Sequence, residues 1–242
     1  MYNLLNFCIN NDKIYIRFLM RIFGLMKNNK RLGFTLAETL ITLSIIGTLA
    51  LIVVPGLIKD TMNRTMISAV KSTATDLNDA INTELVNKRA VSIKDTDIYK
   101  DPVNFLKTYL SPIKTAEDNS LFAPKYKTIN GISGNTQVMN ASATLKNGVS
   151  VGIKTISGGA MFFMFIDVNG LKEPNVFGVD YFPILLQTEN SPATGVHAGD
   201  LGCSAATHTS IASCKSGGSF YCYCALERSG FDHKYLEYSY MY

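Results

Sequence analysis

The strongest pattern along the chain is one long apolar run near the N-terminus. From Phe34 to Ile58 the chain runs for 25 residues with a single charged side chain, that of Glu38. A helix of about twenty apolar residues, at ~1.5 Å of rise per residue, crosses the ~30 Å hydrocarbon core of a bilayer. The pattern therefore predicts a membrane-spanning helix over residues 34–58.

Beyond the apolar run, apolar and small residues recur at spacings of three and four. Charged side chains occupy the other helical positions as far as Lys88. This periodicity is typical of an amphipathic helix and predicts that the same helix continues over residues 59–88. We expect one face of this part to pack on a globular domain: Met62, Met66, Ala69, Val70, Thr73, Leu77, Ala80, Ile81 and Leu85.

Strand patterns occur in residues 145–242. Val149, Val151 and Ile153 alternate with smaller or polar residues, which is the period of a half-buried strand. Residues 160–166 form an unbroken apolar run, as expected for a strand that is covered on both faces. Residues 181–186 predict a further strand.

The segment between helix and strands, residues 89–144, is polar and mixed. We interpret it as a variable connection with one short helix, which begins at Asp101-Pro102 and ends at Ser111-Pro112. The order of elements predicts an α+β fold, in which a long N-terminal helix packs on a small antiparallel sheet.

Positive charge is concentrated before the apolar run. Residues 1–33 hold six basic residues and one acidic residue, whereas the remainder of the chain holds 17 basic and 18 acidic residues. Since no basic stripe follows residue 33, we expect no nucleic-acid partner. The cluster Lys27, Lys30 and Arg31 lies directly before the run, which favours the cytoplasm for that end and the outside for the bulk of the chain.

A secretory signal peptide is a poor interpretation of the run, because its apolar core is too long and no small-x-small cleavage site follows it. A plain membrane anchor does not explain Glu38. A carboxylate within a span costs roughly 2.5–3.5 kcal/mol on insertion scales, so it calls for a partner.

The residues around Glu38 resemble the N-terminus of type IV prepilins and type II secretion pseudopilins. In that family a short basic leader ends in Gly, and an apolar helix follows with Phe first and Glu fifth. Here the leader ends at Gly33, and Phe34 and Glu38 take the matching positions. Pro55 also lies where such pilins often carry a helix-kinking proline. The resemblance implies a pilin-like fold and a structural role in a pilus or pseudopilus filament.

The resemblance further implies that a prepilin peptidase of the membrane cuts between Gly33 and Phe34 and methylates the new amine. In the filament, Glu38 would neutralise the N-terminal ammonium of a neighbouring subunit, since a buried charge is tolerable when it is paired. The implied partners are other pilin subunits, the prepilin peptidase, the inner-membrane assembly platform and membrane lipid. The protein would wait in the inner membrane of a bacterium and end in a filament at the cell surface or in the periplasm.

Two alternatives stay open at this stage. Glu38 could reach the lipid headgroups, because it lies only five residues into the run. The chain could then be a membrane-anchored extracytoplasmic binding module, with or without calcium dependence, that does not polymerise. The sequence shows no catalytic constellation, so we do not expect an enzyme.

The leader is long for the family. A start at Met26 would give a leader of eight residues, from Met26 to Gly33. We therefore expect Met20 or Met26 to be the true translation start.

Residues 165–182 also resemble a stretch found in many prepilin-like proteins, and in major pseudopilins a nearby loop binds calcium. Asp167, Asn169, Asn175 and Asp180 offer oxygen ligands of the kind that calcium prefers. The spacing is not that of an EF-hand, because no Glu closes a twelve-residue loop. The alternative is that these residues cap turns. No other cofactor is expected.

Four cysteines lie close together near the C-terminus, and Cys8 would leave with the leader. We expect Cys203 and Cys214 each to pair with either Cys222 or Cys224, since neighbours two apart on a strand point to opposite faces. Disulfides persist outside the cytoplasm, and pilins often close a C-terminal loop in this way. The alternative is a zinc site assisted by the three histidines of the chain: His197, His208 and His233.

Overall fold

The computed structural model describes residues 35–129, 131–156, 161–189, 203, 214 and 222–232. The chain divides into two units, Met1–Val54 and Pro55–Tyr242. The predicted leader, with Gly33 and Phe34, lies outside the described residues, and so do the three histidines.

Helix α1, Leu36–Lys88, is the longest element and contains both the apolar run and the amphipathic stretch. Among the described residues it is the one helix long and apolar enough to cross a membrane. The large apolar side chains before Lys59 are exposed, Leu51 by 77% for example, as expected for a surface that meets lipid or other helices. The helix continues through Pro55, whose missing N–H removes one backbone hydrogen bond.

The part of α1 after Pro55 buries one face within its own unit. The buried positions recur at spacings of three and four: Asn63, Met66, Ile67, Val70, Thr73, Ala74, Leu77, Ala80, Ile81 and Glu84. Met62, which the sequence placed on this face, is 48% exposed. The buried face therefore begins at Asn63.

A short helical segment follows α1. A 3₁₀ turn, Ile93–Asp95, leads into helix α2, Asp97–Lys100, and helix α3, Pro102–Leu110. The carboxylate of Asp101 accepts a hydrogen bond from the N–H of Asn104 at 3.1 Å, so Asp101 caps α3 at the place where the sequence predicted a helix start.

The described part of the chain contains the strands β1 Lys114–Ala116, β2 Lys125–Lys127, β3 Ser133–Asn135, β4 Ala141–Thr144, β5 Ser150–Lys154, β6 Met161–Asp167 and β7 Tyr181–Gln187. Five of them form an antiparallel sheet in the order β1-β4-β5-β6-β7, and β2 and β3 form a separate two-stranded hairpin. A long helix followed by a small antiparallel sheet confirms the predicted α+β, pilin-like arrangement.

The two faces of the sheet bury two apolar clusters. The larger cluster joins Val151, Phe162 and Ile166 to the buried face of α1. The smaller cluster lies on the opposite face, beneath the segment that contains β2 and β3: Phe122, Ala123, Tyr126, Met139, Phe165 and Tyr181. Strand β6 supplies residues to both clusters, which explains its unbroken apolar sequence.

Candidate functional site

The start of α1 is a capping box built from Thr35 and Glu38. The backbone N–H and the hydroxyl of Thr35 donate to Oε2 of Glu38 at 2.9 and 3.0 Å. In return, the N–H of Glu38 donates to the hydroxyl oxygen of Thr35 at 3.3 Å. This reciprocal arrangement satisfies backbone donors that the first turn of a helix otherwise leaves free.

The capping box gives Glu38 a partner within its own chain. From the sequence we expected Glu38 to pair with the N-terminal ammonium of a neighbouring subunit, and a partner in the same chain was not predicted. The spacing Thr-x-x-Glu is nevertheless the usual signature of a capping box. Glu38 is exposed in the single subunit, so its second carboxylate oxygen can be reached by another chain.

The hydroxyl groups of the apolar run are satisfied within the helix. Thr39, Thr42, Ser44 and Thr48 each donate to a backbone carbonyl three or four residues earlier, at 2.8 to 3.0 Å. Such bonds let polar side chains lie in an apolar medium at little cost. Between Thr35 and Ile58, Glu38 is therefore the one ionisable side chain, and the hydroxyl groups around it are hydrogen-bonded within the helix.

Of the four proposed calcium ligands, Asp167 ends β6, and Asn169, Asn175 and Asp180 lie in the connection from β6 to β7. Oδ1 of Asp167 accepts hydrogen bonds from the N–H groups of Asn169 and Gly170, and its other oxygen accepts one from the Tyr126 hydroxyl. The Asp180 carboxylate accepts from the N–H groups of Asn175 and Val176 at 2.7 and 2.6 Å. Both carboxylates therefore cap turns.

Burial dominates the electrostatics of this connection. Loss of hydration raises the pKa of Asp167 to about 7, and the nearby Asp180 carboxyl acts in the same direction. The hydrogen bonds from Tyr126, Asn169 and Gly170 oppose the rise in pKa. Burial also raises the pKa of Asp180.

The donor set fits calcium only in part. The side-chain oxygens of Asn169 and Asn175 are buried without a hydrogen-bond partner, which a cation would relieve. All four carboxylate oxygens already accept hydrogen bonds, and no group of three or more His, Cys, Asp or Glu side chains among the described residues could hold a metal. The contacts support turn capping, and calcium stays a prediction.

The four C-terminal cysteines form two nested disulfides, Cys203–Cys224 and Cys214–Cys222. With their sulfurs bonded to each other, they provide no thiolate for the alternative zinc site. Cys222 and Cys224 lie on a helix, α4 (Cys222–Arg228), whereas from the sequence we treated them as neighbours on a strand. Positions two apart on a helix do not face each other either, so their mutual pairing is equally disfavoured.

Comparison with known proteins locates the recognisable part of the chain at its N-terminus. The prokaryotic N-terminal methylation motif matches residues 28–54, a stretch that contains the capping box and most of the apolar run. No curated protein and no solved structure matches the chain. The match agrees with the resemblance to type IV prepilins and pseudopilins, and it points to a structural protein.

Proposed function

We propose that the chain is the precursor of a filament subunit of the type IV pilus or type II secretion pseudopilus class. The observation that carries the proposal is the methylation motif at residues 28–54, which includes the start of an exposed apolar helix with one carboxylate in its first turn. An anchor requires only the apolar helix. Filament assembly also requires a processing site and a charged group that neighbouring subunits can share.

In this proposal a prepilin peptidase removes residues 1–33 by cutting between Gly33 and Phe34, and then methylates the amine of Phe34. The basic leader holds that end in the cytoplasm, so the domain beyond the span lies outside. Residues 34–58 are the span and the assembly helix, and residues 59–88 carry the domain. Residues 89–144, which the sequence predicted as a connection alone, also supply strands β1 to β4. Residues 145–242 supply strands β5 to β7 and the disulfide-closed C-terminal region.

Glu38 has two successive roles in the proposal. In the membrane its carboxylate accepts hydrogen bonds from Thr35 of its own chain, which lowers the cost of holding it near lipid. In the filament the same carboxylate meets the Phe34 ammonium of a neighbouring subunit. Head-to-tail contacts of this kind do not close on themselves and so generate a helical filament.

The partners in this proposal are other pilin subunits, the prepilin peptidase, the inner-membrane assembly platform and membrane lipid. The subunit waits in the inner membrane and then enters a filament in the periplasm or at the cell surface. No catalytic role is assigned to it.

The test is the intact mass and N-terminal sequence of the protein isolated from its native membrane. We expect a chain that begins at Phe34 with one added methyl group. The control is the variant Gly33→Leu, in which we expect the leader to be retained. A wild-type chain that keeps Gly33 and the leader would contradict the proposal and favour the anchored binding module.

A further inference from the structure

The inner disulfide lies directly against the backbone of Gly178. Gly178 is buried and has a φ of +77°, in the left-handed region. A Cβ atom at this position would lie 2.7 Å from Sγ of Cys222 and 2.8 Å from Sγ of Cys214. Protein interiors are packed too densely to admit a methyl group at this position. Only glycine, which has no side chain, therefore lets both sulfurs pack directly against the backbone here.

Gly178 belongs to a turn that is closed by Asp180, and residues 175–180 are called the Asp180 turn below. The Asp180 carboxylate accepts hydrogen bonds from the N–H groups of Asn175 and Val176. The N–H of Gly178 donates to the carbonyl of Tyr181 at 2.9 Å. The disulfide therefore packs on the middle of a turn whose two ends are joined by a buried carboxylate.

The Asp180 turn is hydrogen-bonded to the β2–β3 hairpin. The N–H of Lys127 donates to the carbonyl of Asn175, and the N–H of Phe177 donates to the carbonyl of Lys127, both at 2.9 Å. These bonds connect β2 to the turn, and Tyr126 adds the bond to Asp167. A continuous set of contacts thus runs from the inner disulfide through Gly178 to a hairpin remote from the cysteines in sequence.

We propose that formation of the Cys214–Cys222 disulfide closes the Asp180 turn and fixes the β2–β3 hairpin, which makes this part of the fold redox-sensitive. Two bonded sulfurs lie about 2.05 Å apart, whereas two separate thiols need van der Waals spacing and hence more room over Gly178. In the closing step the two thiols lose two protons and two electrons to a disulfide-bonded oxidant, which becomes a dithiol. The proposal does not depend on the filament function.

The test is hydrogen exchange of the full chain in detergent micelles, followed at the amides of Lys127, Asn175 and Val176. In Cys214→Ser/Cys222→Ser we expect these three amides to exchange about tenfold faster or more, because the turn opens locally. The matched control is Cys203→Ser/Cys224→Ser, which removes the outer disulfide and keeps the bond over Gly178; there we expect little change. Amides of β5 should stay protected in both variants.

Equal protection of the three amides in the two cysteine variants would overturn the proposal. A reciprocal measurement covers the case in which a cysteine variant does not fold. Gly178→Ala should increase the fraction of Cys214 and Cys222 that a thiol reagent labels by about tenfold after mild dithiol treatment. Gly170→Ala is the control, because Gly170 has a φ of +63° in the same connection but its Cβ would meet Ser150. Equal labelling in the two glycine variants would also overturn the proposal.

Discussion

At the scale of single residues, the role of Glu38 distinguishes the two proposed functions, a filament subunit and a membrane-anchored binding module. Thr35 donates two hydrogen bonds to one oxygen of this carboxylate within the subunit, so in the proposal a lone chain holds Glu38 near lipid without a second copy. In the proposal, membrane residence and filament assembly therefore depend on different contacts of the same side chain. A substitution can separate them.

We predict that Glu38→Ala abolishes assembly while the protein stays in the membrane. Removal of the carboxylate makes the span more apolar, so insertion is retained, but the neighbouring ammonium loses its counter-charge. The measurement is the amount of subunit in sheared filaments against the amount in the membrane fraction. Ser44→Ala is the control, because it removes a hydroxyl of the same span that bonds only to Leu40. Normal assembly of Glu38→Ala would support the anchored module.

A second prediction at this scale concerns the pH dependence of stability. Burial raises the pKa of Asp167 to about 7, above its ordinary value of 3.8, so the folded state binds this proton more tightly than the unfolded state. The resulting stabilisation is fully present below pH 3.8 and is lost as the pH rises through about 7. The raised pKa of Asp180 acts in the same direction.

The measurement for this prediction is the unfolding temperature of the protein in detergent micelles between pH 4 and pH 8. We expect the contribution of Asp167 to fall across that range and the Asp167→Asn variant to show a shallower slope. Lys125→Gln, which changes an exposed charge on β2, is the control. A variant slope as steep as that of the wild type would show that Asp167 is not the responsible group.

At the scale of elements, the sequence predicted those whose pattern is strong and local. Helix α1 was predicted from its apolar run and its three–four spacing, and β6 and β7 from apolar runs bounded by turns. Strands β1 to β4 were missed because they are short and rich in Ser, Thr, Ala and Lys, so no period of two stands out. Their position depends on pairing and on packing across the sheet, which are contacts distant in sequence.

The same limit applies to the candidate site. The spacing of Gly33, Phe34 and Glu38 is a local pattern, and the family comparison found it at residues 28–54. The bond from Tyr126 to Asp167 joins residues 41 apart, and the contact of Gly178 with Cys214 and Cys222 also crosses elements. Periodicity and spacing along the chain contain no information about such contacts.

Packing of the segment over the second sheet face gives an element-scale prediction. A Cβ at Gly152 would lie 2.3 Å from Sδ of Met139 and 3.1 Å from the Phe122 ring. We expect Gly152→Ala to destabilise the domain by about 1–3 kcal/mol, because the buried side chains of Met139 and Phe122 must shift. Chemical denaturation in micelles measures the loss. Gly134→Ala, where the added methyl meets nothing within 4 Å, is the matched control.

The cause of that loss can be tested with a second substitution. Met139→Ala removes the side chain that the new methyl meets, so the double variant Gly152→Ala/Met139→Ala should lose less stability than the sum of the two single losses. We expect the difference to be about 1 kcal/mol, within the range for residues in direct contact. Additive losses would mean that the covering segment does not pack on β5 at Gly152.

At the scale of the whole molecule, the proposed assembly surface and the core of the domain involve different residues. The unit after Val54 contains both apolar clusters and the two disulfides. The first half of α1 contributes no residue to either cluster among those described. The proposed assembly surface is thus separate from the residues that hold the domain together.

This separation predicts that residues 59–242 fold without the span. The buried face of α1 starts at Asn63, so truncation before Lys59 removes no side chain of the core. We expect cooperative thermal unfolding of the truncated chain, with a midpoint within ~4 °C of that of the full chain in micelles, because the shift would reflect less than ~1 kcal/mol. The control is a chain that begins at residue 72 and lacks Met66, Ile67 and Val70, which should not fold. A chain of residues 59–242 without a cooperative transition would show that the span contributes to the stability of the domain.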